Sequence, residues 1–248
     1  MNLPPSRERI LLMGSPGTGK TEQLLNIAKY LADIGKQIEI LDFEDKIGAY
    51  LKSSGDIPKN LSLQVALNWT EAQDALEKIE ARLKPDNWIG VDRIDLAWNY
   101  VQRWYTQLKY QETLAQKMLD TSISMGKKKS MFAPRFDQGS WQVINEAYEE
   151  FINGILYRTR CNIVLTSGIK GIDENSPLDL FGNLGVLPRG QKELGHQPHS
   201  VFLLSQKKSN NKEITWHITT AKDLPNRIKF EGDQLYDFTL QYLEKYYK

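Results

Sequence analysis

Cysteine is almost missing from this chain. Cys161 is the only one among 248 residues, which excludes an intrachain disulfide and a cysteine-based zinc cluster and fits a reducing compartment. It opens the apolar run Cys161-Asn162-Ile163-Val164-Leu165, the setting of a core thiol rather than a nucleophile. Histidine is nearly as scarce, and His196 and His199 have no acidic or cysteine neighbour to complete a metal site, so a turn is the better reading of that stretch. An excess of one charge is also lacking. Lysine and arginine number 32 against 31 aspartates and glutamates, a formal net charge of +1, so any affinity for nucleic acid has to be local. No apolar run approaches membrane-spanning length, and Met1 to Arg9 has no signal-peptide core. These absences predict a cytoplasmic protein, and its length allows one large α/β domain or two small ones.

What the chain does have is Gly14-Ser15-Pro16-Gly17-Thr18-Gly19-Lys20-Thr21, a complete G-x-x-x-x-G-K-[ST] phosphate-binding loop. The apolar strand Ile10–Met13 precedes it. Glu22 to Leu31 follows with apolar residues at helical spacing, so the motif sits in the strand–loop–helix context it needs. Glycines let the backbone curl until successive N–H groups face a polyphosphate, and the helix N-terminus adds donors and partial positive charge. The spacing predicts nucleotide contacts from Gly14 through Glu22, with Lys20 reaching the β- and γ-phosphates and the Thr21 hydroxyl ligating Mg²⁺.

Further strands are expected at 38–43, 61–67, 88–92 and 162–166, and helices at 70–83, 95–124 and 141–158. Strands alternating with helices imply a mostly parallel sheet covered on both faces. Residues 200–205 and 213–220 read as an antiparallel β-hairpin, and the aromatic tail from Asp233 ends in a helix. Residues 168–199 lack periodicity and are too long for an ordinary connector. With no internal repeat or linker, residues 1–248 read as a single domain with long loops at about 121–140 and 168–199.

Three features narrow the class. Asp92 ends an apolar strand, as expected of the residue that holds Mg²⁺ through water. Arg93 follows it, where the AAA class carries a catalytic glutamate, and this argues against that class. Asp42-Phe43-Glu44-Asp45 follows the second strand, where a carboxylate can orient an attacking water. With the glycine loop, this order resembles the RecA-like ATPases, from Arg9 to about Phe230, and within them the compact, core-only proteins of bacteriophages grouped with recombination and single-strand annealing proteins.

The resemblance implies a Mg²⁺-dependent ATPase with ATP as substrate. Glu44 is the catalytic carboxylate, with Asp42 and Asp45 as runners-up. Lys20 and Thr21 are the phosphate and metal groups, and Asp92 is the Mg²⁺-associated aspartate. Lys222 or Arg227 is expected to act in trans on a neighbour's nucleotide, which implies a homo-oligomer, ring or filament. Thr166 or Ser167 stands where recombinases carry a γ-phosphate sensor. Little precedes the first strand, so the adjacent-subunit segment of filament-forming recombinases is expected to be absent, and annealing is a safer expectation than strand exchange.

The resemblance also puts single-stranded DNA on the two long loops. Lys127, Lys128, Lys129, Phe132 and Arg135 form the stronger group, since clustered cations neutralise phosphates and an aromatic face stacks on a base. Lys170, Arg189 and Lys192 form a weaker one, diluted by acidic neighbours. Two alternatives stay open: a nucleotide or small-molecule kinase with 121–140 as its lid, and a nucleotide-gated adaptor of a phage replication or packaging assembly.

Overall fold

The computed structural model describes residues 7–124, 136–172, 181, 184–208 and 213–246. Its organising element is β1 (Arg9–Gly14), buried almost throughout. Successive side chains of a strand point to opposite faces. Leu11 and Met13 therefore join one core cluster, while Ile10 and Leu12 join another on the other side of the sheet.

The chain then builds α1 (Lys20–Asp33), β2 (Ile38–Asp42), α2 (Ile47–Ser54), β3 (Leu61–Val65), α3 (Trp69–Arg82) and β4 (Trp88–Asp92). After β4 come α4 (Ile94–Tyr110), α5 (Leu114–Ser124), α6 (Gln138–Asn153) with a π-helical turn, and β5 (Asn162–Ser167). The two-stranded ribbon β6 (Ile169–Gly171) and β7 (Val186–Pro188) precedes the hairpin β8 (Ser200–Lys208) and β9 (Ile214–Asp223), then β10 (Glu231–Gln234). A π-helical turn, Thr239–Leu243, and a last helical turn, Glu244–Tyr246, end the described chain.

The main sheet runs β10-β9-β8-β1-β5-β4-β2-β3. Every junction from β8 to β3 is parallel, and β8-β9 and β9-β10 are antiparallel. This is the expected α/β class: a mostly parallel sheet with a C-terminal antiparallel hairpin. α1 and the C-terminal aromatics Phe238 and Tyr242 cover one face. Residues of α3, α4 and α6, including Ile79, Val101 and Ile144, cover the other.

The topology positions the site. β5 lies between β1 and β4, and the register pairs Leu12 with Thr166 and Val91 with Leu165. The ends of all three strands are therefore level, and Asp92 emerges beside Thr166 at the edge where the glycine loop begins.

Local chemistry sets the helix boundaries. Asn68, with extended backbone, accepts from Glu71 N at 3.0 Å, and Glu71 Oε2 accepts from Leu67 N at 2.7 Å. This capping pattern starts α3. The helix expected over 95–124 is in fact two, because Gln111 takes a left-handed conformation (φ 56°) and ends α4. α6 begins earlier than expected, at Gln138, because the Asp137 carboxylate accepts from Ser140 N at 2.7 Å. In the described part of 168–199, β6 and β7 pair antiparallel in a small sheet of their own.

Candidate functional site

The loop Gly14–Thr21 curls because two of its glycines sit at positive φ, 81° at Gly17 and 87° at Gly19. A side chain at either would be strained. Gly14 is constrained differently: a Cβ there would stand 2.4 Å from Leu204 O and 2.5 Å from Thr18 Oγ1. The buried Thr18 braces the bend by donating its hydroxyl to Ser15 O at 2.8 Å. Lys20 folds back over the loop and donates Nζ to Gly14 O and Ser15 O, both at 2.8 Å. Burial, then the nearby Arg93 charge, holds its ammonium below the ordinary lysine value. An anion in the curl relieves both penalties.

Thr21 is the second residue of α1, and its hydroxyl donates to Asp92 Oδ2 at 2.7 Å. The other carboxylate oxygen of Asp92 accepts from the Thr166 hydroxyl. Burial raises the Asp92 carboxyl above its usual range, and the bonds from Thr166 and Thr21 offset part of that. A hydroxyl and an adjacent carboxylate at the end of the loop suit Mg²⁺, which takes few protein oxygens and completes its shell with phosphates and water. Thr21 would ligate it and Asp92 would hold it, directly or through water. Thr166, fully buried, is spent on Asp92 and not on a phosphate. Ser167 is likewise bonded, to the carbonyls of Gly168 and Arg189 at 2.8 and 3.1 Å. Neither hydroxyl takes the position expected of a γ-phosphate sensor.

The acidic turn after β2 divides its work. Asp42 is fully buried and accepts from three backbone N–H groups, those of Glu44, Lys46 and Ile47, each at 2.9 Å. It shapes the turn and starts α2, a helix the sequence reading missed, so it drops out as a runner-up for catalysis. Asp45 sits at positive φ (55°) with its side chain outward, and drops out with it. Glu44 faces a cavity of about 470 Å³ that the glycine loop, Lys46, Arg93, Gly168 and Arg189 also line. Its Oε1 lies 2.9 Å from Arg93 Nη1 and 3.1 Å from Lys46 Nζ. Arg93 is anchored on its other edge by the buried Asp95, with Nη2–Oδ2 at 2.7 Å and Nε–Oδ1 at 3.2 Å. Burial works to lower the Arg93 pKa, but Asp95 and Glu44 outweigh it and push it upward. Tyr100 donates to Phe43 O at 2.9 Å and fixes the backbone just before Glu44.

The remaining expected residues fall elsewhere. Glu22 lies exposed at the rim of the cavity, in the first turn of α1. Lys222 donates to His196 O at 2.7 Å and Pro198 O at 2.6 Å. Arg227 Nη2 pairs with the buried Glu8 at 2.6 Å. Both cations are thus committed to bonds within their own chain. They also stand at the opposite end of the sheet, since Lys222 pairs with Val201 and Val201 with Leu11, three residues before Gly14. Lys170 on β6 and Lys192 are exposed. Arg189 lines the cavity, beside Gly168. Lys127, Lys128, Lys129, Phe132 and Arg135 lie outside the described residues.

Sequence reasoning missed three sets of contacts: Asp95 with Arg93, Thr166 with Asp92, and a clasp from the hairpin. In the clasp, Gln206 Nε2 and Trp216 Nε1, paired across β8 and β9, both donate to Gly17 O, the tryptophan at 3.2 Å. The motif order carried no sign of these: Thr166–Asp92 and the clasp join segments far apart in sequence, and Arg93–Asp95, although only two residues apart, belongs to no motif.

Among solved structures, the fold is similar to that of a KaiC-like protein from the hyperthermophilic archaeon Pyrococcus horikoshii OT3. The TM-score is 0.51, with 13% identity over 91% of this chain and 82% of that one. At that identity the likeness concerns the fold. A search of curated proteins gives no significant match. Arg93 after Asp92 points away from the AAA class on sequence alone, and comparison with family models corrects that reading. A model described as AAA domain matches residues 6–175, more than half of the 248, and the chain belongs to this family of phosphate-loop proteins.

Proposed function

We propose that this chain is a Mg²⁺-dependent ATPase of RecA type that acts on single-stranded DNA in recombination, annealing or replication, as a homo-oligomer. The observation that carries the ATPase reading is the Thr21–Asp92 contact at 2.7 Å, closing a metal-binding corner beside the loop, with Glu44 on another wall of the same cavity.

In this reading the loop N–H groups and Lys20 hold the β- and γ-phosphates. Lys20 gives up its two carbonyl acceptors for phosphate oxygens. Mg²⁺, when bound, neutralises charge on the β- and γ-oxygens. Thr166 keeps Asp92 turned toward Thr21. Glu44 accepts a proton from the attacking water as the water oxygen bonds to the γ-phosphorus. The bond from that phosphorus to its bridging oxygen breaks, ADP leaves with the electron pair, and inorganic phosphate is the second product. The exposed Lys170 and Lys192 and the 127–135 group supply the cations for a phosphate backbone, and one of Lys222 and Arg227, released from its partners within the chain, serves a neighbouring protomer.

The test is ATP hydrolysis with and without single-stranded DNA, beside Lys20→Ala. The reading expects stimulation by DNA and loss of at least about a hundredfold in the variant. Hydrolysis indifferent to DNA would overturn the DNA part and leave the ATPase. No Lys20-dependent hydrolysis would overturn both.

A further inference from the structure

Arg93 stands between two carboxylates of unequal character. Toward Asp95 it makes a two-pronged contact, at 2.7 and 3.2 Å. Asp95 is itself fixed, because it is fully buried and its Oδ1 also accepts from Gly168 N at 3.1 Å. Toward Glu44 it makes a single contact, Nη1–Oε1 at 2.9 Å. Glu44 keeps 17% of its side chain exposed and opens onto the cavity shared with the glycine loop. The guanidinium is therefore pinned along one edge and holds Glu44 with the remaining corner.

That corner occupies the group the hydrolytic step requires. One oxygen of that carboxylate is taken by the guanidinium and is not free to orient water. The field of Arg93 also falls on Lys20, one of the two leading causes of that lysine's depressed pKa, so Arg93 and the loop lysine compete to be the cation of one cavity. An anion entering there satisfies both.

We propose that Arg93 is a latch read by the γ-phosphate. In the nucleotide-free pocket its Nη1 corner holds Glu44. The γ-phosphate of a bound triphosphate, carrying more charge than one carboxylate, draws that corner away and frees Glu44 to orient water. Asp95 keeps the rest of the guanidinium in place, so the exchange needs only a small rotation of two side chains. ADP has no γ-phosphate, and the latch stays closed on it. The Lys46 contact to Glu44 does not interfere, because Lys46 is 67% exposed and its pairing is screened by solvent. The inference rests on the ATPase reading and adds to it a cis-acting residue that couples Glu44 to the identity of the nucleotide.

The test is a binding cycle with ADP and a non-hydrolysable ATP analogue, measured by calorimetry on the whole chain with Mg²⁺, so that no turnover is needed. Wild type is expected to prefer the analogue. Arg93→Ala should lower that preference by about tenfold, leaving ADP affinity in place. Glu44→Gln, which weakens the competitor for Arg93, should tighten the analogue by about three- to tenfold without altering ADP, and the gain should vanish in the double variant. Equal weakening of both nucleotides by Arg93→Ala, or a Glu44→Gln gain that persists without Arg93, would overturn the latch alone. If Arg93→Ala fails to fold, the Glu44→Gln arm decides: selective tightening supports the latch and none overturns it. A wild-type chain that binds neither nucleotide would overturn the ATPase reading itself.

Discussion

The two ends of the parallel sheet hold their cations in different ways. At the loop end, Lys20 bonds carbonyls of the same loop that would wrap a phosphate, and Arg93 spares one corner for a part-exposed glutamate. Both open onto the cavity of about 470 Å³. At the opposite end, Arg227 is closed onto Glu8, which is 3% exposed, and its guanidinium lies over the Tyr242 ring at 5.8 Å. Lys222 there ties β9 to the turn at His196 and Pro198. One end is an arrangement of exchangeable partners, the other of partners fixed within the fold. The same residue types that read alike in sequence therefore carry opposite expectations: substitution at the loop end should change chemistry more than stability, and substitution at the far end the reverse.

The largest break is at Asp92. Asp92→Asn is expected to lower ATP turnover by at least about a hundredfold, because the metal-facing carboxylate is lost. Its effect on stability has the opposite sign. Burial raises this carboxyl above its unfolded value, so the stability it contributes is present at low pH and is lost as the pH rises through the folded value. At neutral pH the desolvated charge is a cost. Asparagine keeps a hydrogen-bonding oxygen for Thr21 or Thr166, so the thermal midpoint should not fall. A lower midpoint in a melting scan would mean that Asp92 is structural and that the loop end is no different from the far one.

Arg227→Ala is the matching break at the other end. It leaves Glu8 buried without its cation, a situation that costs about 3 kcal/mol or more, or roughly 6–12 °C of thermal midpoint in a chain of this size. Adding Glu8→Gln should return most of the midpoint. Turnover in the double variant then separates two roles. If it returns with the midpoint, Arg227 holds the fold. If it stays low, and mixing with Lys20→Ala subunits restores it, the arginine acts across a subunit boundary in spite of its pairing.

How legible each part was depends on how local its cause is. The loop and its flanking strand and helix could be read directly, because their chemistry is contiguous. Asp92 could be read because it ends an apolar run. Thr166 and Asp95 could not, since their roles arise from strand register and from Gly168 meeting the start of α4. α2 was missed because it is only eight residues long and its start is fixed by Asp42, five residues before its first member. The break at Gln111 carries no glycine or proline to announce it. Arg93 was visible only as a missing glutamate, and its partners gave it a role that composition could not. The Gln206–Trp216 clasp on Gly17 joins the hairpin to the loop across nearly the whole chain.

The smallest effect sharpens the contrast through pH. His199 bonds back to β1 through its backbone, N to Arg9 O at 2.9 Å. Burial, followed by the charge of Arg9, holds its imidazole below the ordinary histidine value. Its bond to the Arg7 backbone works against that shift, and the Lys222 and Arg7 charges add to it. A depressed folded pKa means that stability is fully present above the unfolded value and is lost as the pH falls through the folded one. Because the ring is only half buried, solvent screens much of this. Between pH 7 and 5.5 the wild-type midpoint should fall by about 1–2 °C more than that of His199→Gln, read by scanning calorimetry. ADP affinity over the same window should follow the same course in both proteins, since the protonating ring lies at the end of β1 away from the loop. A His199-dependent change in nucleotide affinity would show that the far end communicates with the cavity, and that the two ends are not independent.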